Sequence, residues 1–336
     1  MRTGTSQGEA LAVWALLAAD LLAVLVVYSV LEPSELYVVS RSGIEGGLSR
    51  ALVQLNFPMA LAAIVLVLLA LDVLPRRAWL AGGPALALCA FVAWPGVIDP
   101  GDLDARPVNV VPAIGVLIAF ALTLAAGRTA GWGFARARSG DRARVAVAVG
   151  LVLVSLPWIT AAVGVHFPQG LFLTSELYTE PGEEARAAVH LGQHHSTAGL
   201  LLALSALLVS RPRLVTDRLR TVYAALVCLM LSYGVANIAN DLWHEQVVKR
   251  GWASWDVPEA TQPDANLTWA LVLVASAVLY ALGFARPASA GRAVASSRRR
   301  ARRPRSPRST RPSSAADARR SARSIAPSRS AESPPS

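Results

Sequence analysis

Long apolar runs separated by short polar connections dominate the chain. A helix needs about 20 apolar residues to cross the hydrocarbon core of a bilayer. Eight segments meet that requirement, at roughly 10–31, 58–74, 79–98, 108–127, 145–165, 191–210, 221–241 and 267–285. The second is short and stops at Pro75-Arg76-Arg77, so a tight link folds it back on the third as a helical hairpin. The first run is too long for the apolar part of a signal peptide, and no small-residue cleavage pattern follows it, so it reads as an uncleaved anchor. The pattern predicts an all-α, polytopic integral membrane helix bundle of about eight transmembrane helices over residues 1–285, followed by a distinct segment over 286–336.

Arginine placement gives the bundle a direction. One alternate set of connections (1–9, 75–78, 128–144 and 211–220) holds 12 arginines. The other set holds Arg41, Arg50, Arg106, Arg186, Lys249 and Arg250. The positive-inside rule puts the first set, and both termini, in the cytoplasm. Trp14, Trp79, Trp94, Trp243 and Trp269 fall near expected span ends, where an amphipathic ring is favoured.

Composition sharpens this picture in two places. Of 336 residues, 54% are hydrophobic and 16% charged, against about a quarter charged in a soluble domain. The net charge of +10 is carried by the end of the chain, where 14 arginines from Arg286 onward face only Asp317 and Glu332. A segment so poor in large apolar side chains is expected to be a disordered cytoplasmic tail. Its run Arg298-Arg299-Arg300-Ala301-Arg302-Arg303 suits anionic inner-leaflet lipid, with no specific nucleic-acid recognition expected. The abundance of Ala, Gly and Arg, with Lys249 the only lysine, points to a GC-rich bacterial genome and so to a bacterial plasma membrane. Cys89 and Cys228 lie in separate apolar runs and read as small hydrophobes.

All five histidines fall on the extracytoplasmic side of this topology: His166, His190, His194, His195 and His244. Thr179 to Glu184 looks like a helix start, with Pro181 tolerated and acids favoured in the first turn. A helix from Pro181 to Ser210 would be about 45 Å long and would stand above the membrane. Glu183, Arg186, His190, His194 and Thr197 would share one face of it, with His195 turned about 100° away. The seventh run carries a matching stripe of Asn237, Asn240 or Asp241, and His244.

Two imidazoles at a four-residue spacing on a helix can grip one metal ion. His190, His194 and His244 are the expected ligands of a divalent metal such as zinc, with Asp241, His195 or His166 as a further ligand. Glu245 or Glu183 would be the general base, and Arg186 or Arg106 an anion clamp. Intramembrane metal hydrolases of the alkaline ceramidase and adiponectin-receptor type are loosely similar in placing His-x-x-x-His on a multi-span bundle, although their order of motifs differs.

The remaining polar features leave other functions open. Asp20 lies in mid-span, where a charge is costly unless paired or wet, and with Asn237 and Asp241 it could mark a proton or cation pathway. Asp99, Asp102 and Asp104 occupy one short Pro/Gly-rich link that also reads as a rigid turn. Ile44, Leu48, Ala51, Leu52 and Leu55 form a helical stripe, expected on a short surface helix that roofs the histidines. No Walker, Rossmann or GxSxG motif is present. The expectation is a metal-dependent membrane enzyme acting on a lipid, lipid-linked or exported substrate. A transporter or channel and a non-catalytic protein that assembles with membrane partners are the alternatives.

Overall fold

The computed structural model describes residues 7–138, 140–179, 185–212, 214–261 and 265–284. Glu183 and the whole arginine-rich segment 286–336 lie outside the described residues. Ten helices follow in order among them: α1 Gly8–Val30, α2 Gly43–Asn56, α3 Met59–Leu71, α4 Trp79–Ala90, α5 Val110–Ala130, α6 Asp141–Val154, α7 Leu156–Ala161, α8 His195–Val209, α9 Asp217–Asp241 and α10 Leu267–Gly283. A two-residue hairpin of β1 Leu177–Tyr178 and β2 Arg186–Ala187 is the one departure from an all-helical fold among those residues.

Every apolar run therefore contains a helix, but their lengths differ. Gly8–Val30, Pro107–Ala130 and Asp217–Val248 are long and apolar enough to cross a membrane. Helices α2 and α3 meet at 47°, and the bent pair reads as a fourth span. Pro58 stands at that bend, where its ring removes a helical donor. The run expected at 145–165 is broken at Ser155, between α6 and α7. Outward-facing Leu22, Leu117, Val147 and Leu271 are largely exposed. Side chains of this kind suit contact with lipid rather than water.

Helix α2 corrects the expectation of a surface roof. It packs against α1, α3 and α5. Ile44 and Leu48 of the apolar stripe point outward, whereas Ser49, Arg50, Gln54 and Asn56 are buried. In lipid the cheap face to expose is the apolar one, so the amphipathic helix turns its polar side inward. Asn56 and Asn109 then bond each other, and Gln54 donates to Asp20 on α1. Trp14 is likewise buried rather than interfacial, donating to Thr123 of α5 at 3.1 Å.

A second correction concerns the helix expected from Pro181. Helix α8 begins only at His195. The residues before it are held extended: Ala188 N–H donates to Glu176 O, and Val189 N–H to Thr174 O. Gly192, with φ +96°, turns the chain where a side chain would also strike the Tyr28 ring. The Pro-Gly and the acids upstream resemble a helix start, but this left-handed glycine cannot continue a helix.

Helices α8 and α9 cross at their glycines. A Cβ on Gly199 would lie 2.5 Å from Gly234 O, and one on Gly234 would overlap Gly199 O. Their backbones touch in the manner of small-residue membrane helix pairs. At the end of the bundle where α1 starts, buried Glu9 accepts from Arg211 at 3.1 Å and from Ala135 N–H at 2.7 Å. Arg211 also pairs with Asp141 at 3.3 Å, tying α1, α6 and the α8–α9 link together. Replacing Gly234 by Ala should destabilise the bundle by about 1–3 kcal/mol through overpacking. The expected readout is a lower thermal midpoint in detergent, while Gly283→Ala, whose Cβ would meet nothing, leaves it unchanged.

Candidate functional site

The ends of α7, α8 and α9 meet at the opposite end of α1 from Glu9. Trp158 of α7 is fully buried and donates from Nε1 to Glu245 Oε2 at 2.6 Å. Thr197 of α8 donates to Trp158 O at 3.1 Å. Asp241, the last residue of α9, accepts the backbone N–H of Ser196 at 2.6 Å. That places a carboxylate at the amino end of α8, where orphan donors and the helix dipole favour negative charge. Beyond Asp241 the chain continues as a π-helical segment, Leu242–Val248, a geometry frequent at functional sites. It carries Glu245 inward beside Asp241.

His194 is the residue just before α8 and has an extended backbone. Its Nε2 is 2.8 Å from His190 O. A carbonyl only accepts, so Nε2 carries the hydrogen, and in the neutral ring Nδ1 is a lone pair. Nδ1 faces Glu245 Oε1 at 3.4 Å and Asp241 Oδ2 at 3.8 Å. An acceptor nitrogen thus faces a carboxyl oxygen from each of two neighbouring residues. His195 also approaches Asp241, at 3.8 Å. The expected 100° separation does not apply, because His194 lies outside the helix.

These groups form part of the wall of a cavity of about 290 Å³. His190, His194, His195 and His244 all line it, as do Arg50, Arg186, Asp241, Glu245 and Lys249. The sequence thus located four of the five histidines at one place. His190 stacks between Tyr37, at 4.7 Å, and His194, at 5.7 Å. His244 pairs with Asp256 at 3.0 Å. His166, Arg106, Asp20 and Asn237 are not among the lining residues. Arg106 bridges to Asp99 at 3.2 Å, and Asn237 donates to Tyr233 O at 2.8 Å. Asp104 accepts from Ser40 and Asp102 from Asp104 N–H, so the acidic link is a hydrogen-bonded turn.

The three-histidine grip expected for His190, His194 and His244 finds no geometric support. Among the described residues no three His, Cys, Asp or Glu side chains are placed to hold a metal ion. The close approach of His194 to both carboxylates does not change this. Asp241 Oδ2 is committed to Ser196 N–H, and Glu245 Oε2 to Trp158. Sequence reasoning missed Trp158, whose partner is 87 residues away. It also counted Arg50 only as a loop charge. The signal for Arg50 was its place on the polar side of the Ile44–Leu55 stripe.

Comparison with known proteins adds no assignment: no family model, curated protein or solved structure matches the chain. What fold and site define is a helical membrane protein with a histidine- and carboxylate-lined cavity at one end.

Burial sets the charge state of the loop histidines. It pushes His190 down from 6.5 to about 3, helped by the positive charges of His194, Lys249 and Arg186. Burial also lowers His194, against the opposing pull of Asp241 and the His190 carbonyl. His166 is lowered by burial too, opposed by Glu176. A depressed histidine contributes stability above its unfolded value of 6.5, which is lost as pH falls toward about 3, because the unfolded chain then binds more protons. The thermal midpoint should therefore drop as pH is lowered from about 7 to about 4.5, and His190→Gln should make that slope shallower.

Proposed function

We propose that the protein is a membrane enzyme that works at the extracytoplasmic face, with His194 as its general acid–base group. The observation that carries this reading is the His194 ring, fixed in one tautomer by His190 O with Nδ1 turned toward Asp241 and Glu245. A proton held among these three groups can be passed to a ligand in the adjoining cavity and taken back. Asp241 and Glu245 orient the imidazole and stabilise its charged form. Trp158 fixes Glu245, and Ser196 N–H fixes Asp241. Substrates reaching such a cavity are lipids, lipid-linked intermediates or exported molecules. No step requires a metal. Transport along Asp20 and Asn237 or Asp241 has less support, since Asp20 is bonded by Gln54 and of these residues only Asp241 lines the cavity.

The topology that accompanies this reading has eight spans, with both termini and the basic tail in the cytoplasm of a bacterial plasma membrane. Arginine placement supports it: Arg76, Arg77, Arg128, Arg211 and Arg220 fall at the end away from the histidines. A reporter fused to the C-terminus should be active only in the cytoplasm, and periplasmic activity would reverse the orientation.

The catalytic reading is tested by incubating the protein in vesicles with total bacterial lipid extract and following product formation by mass spectrometry. His194→Gln should lower turnover by about 10²-fold or more, the usual contribution of a positioned acid–base group. Trp158→Phe should lower it less and shift its pH profile, because Glu245 loses its donor. Turnover unaffected in His194→Gln, with the fold intact by thermal unfolding, would defeat the assignment.

A further inference from the structure

Two features of the cavity lie outside the acid–base cluster. The first is Arg50, which is 5% exposed and has no hydrogen-bond partner at Nε or Nη1. Its guanidinium lies over the Tyr28 ring at 5.7 Å. Asp20 is within electrostatic reach, but its Oδ2 takes the amide of Gln54. Gln193 lines the same cavity, and both its amide atoms are buried without partners. A buried guanidinium is normally paired, and its fork of donors matches an oxyanion. Arg186 and Lys249 also line the cavity. They rest on the rings of Tyr37 and Tyr178, and among the described residues neither is bridged to a carboxylate. Their positive charge is what reinforces burial at His190. Asp99, Asp256 and Glu259 line the cavity too, but Asp99 is bridged to Arg106 and Asp256 pairs with His244, so the unpartnered buried donors are those of Arg50 and Gln193, and these suit an anion.

The second feature is an apolar cavity of about 130 Å³ between α3, α9 and α10, lined by Leu61, Ile64, Leu226, Leu229 and Trp269. Ile98 and Thr261 belong to the walls of both cavities. The polar chamber therefore adjoins an apolar one, and Ala93, which is exposed, stands at the edge of the latter. A ligand filling both has an anionic head and an alkyl chain. Arg50 and Gln193 both stand beside Tyr28, and several oxygens on one centre can meet the guanidinium and the amide together, as phosphate allows.

We propose that the cavity pair binds a phosphate-bearing lipid, with the phosphate on Arg50 and Gln193 and the start of the chain between Ile98, Thr261 and Trp269. This names the substrate class of the acid–base site described above and rests on that reading only for turnover. Binding stands or falls by itself.

The test is isothermal titration calorimetry of the full chain in maltoside micelles with dodecyl phosphate, dodecanol, dodecanoate and inorganic phosphate. Dodecyl phosphate should bind at least about tenfold tighter than each of the other three, a difference of about 1.4 kcal/mol. Arg50→Gln should remove that advantage, and Arg50→Lys should restore part of it. Ala93→Trp, at an exposed position, should weaken dodecyl phosphate while leaving inorganic phosphate unchanged. Thermal unfolding of each variant separates a lost site from a lost fold. Equal binding of dodecanol or dodecanoate, inorganic phosphate binding as tightly as dodecyl phosphate, or an undiminished folded Arg50→Gln overturns the proposal. Binding as expected without any turnover of lipid would instead overturn the acid–base assignment and leave the lipid site in place.

Discussion

The contact between Gly199 and Gly234 governs the architecture around the cavity. Two helices approach this closely only where both lack a side chain at the crossing. That approach brings the amino end of α8 against the carboxyl end of α9. The carboxylate of Asp241 can then take the Ser196 N–H that α8 itself leaves unpaired. Once this bond is made, His194 is the residue preceding the helix, and its ring must lie over Asp241 and Glu245. The acid–base cluster is thus a consequence of backbone packing about one to two turns away. A side chain at either glycine would separate the imidazole from its carboxylates without touching any of them.

The rest of the bundle shows how an apolar chain manages its polar groups. Trp14 has Thr123, Asp20 has Gln54, Asn56 has Asn109, and Glu9 has Arg211. Each pair joins segments far apart in the chain, and each satisfies groups that lipid could not. Arg106 has Asp99, and Arg211 has Glu9 and Asp141. Arg50 stands apart, with the face of Tyr28 as its neighbour and two buried nitrogens unpaired. Glu9 and Arg106 each leave one buried atom unpartnered but are held by an ion pair, whereas Arg50 has no bridge among the described residues, the contrast on which the proposed anion site rests.

The apolar runs were legible because a helix in lipid must satisfy its own backbone, and so length and hydropathy alone mark it. The gathering of His190, His194, His195 and His244 was legible too, because all sit at run ends on one side. The local conformation was not. Pro181, Glu183 and Glu184 imitate a helix start, whereas Gly192 and the pairing of Arg186 with Tyr178 decide for an extended segment. Spacing rules for a helix then put His190 and His194 on one helix face and turned His195 about 100° from His194, although of the three only His195, the first residue of α8, lies in a helix. Helix α2 was misread for a related reason. Its stripe was seen correctly, but an amphipathic helix in lipid buries its polar side, and Arg50 moves from surface to interior when the solvent changes. Trp158 carried no local signal, since its role depends on a tertiary meeting with Glu245.

Among the described residues the cavity lining mixes charges of both signs, five carboxylates with three cations. Arg50, Arg186 and Lys249 supply positive charge, and Asp241 and Glu245 supply the means to hold a proton. Glu245 is held by Trp158 and Asp241 by the α8 backbone, and among the described residues neither is bridged to Arg186 or Lys249. The neutral, stacked rings of His190 and Tyr37 stand among them. Burial keeps His190 neutral, and the charges of Lys249 and Arg186 reinforce it.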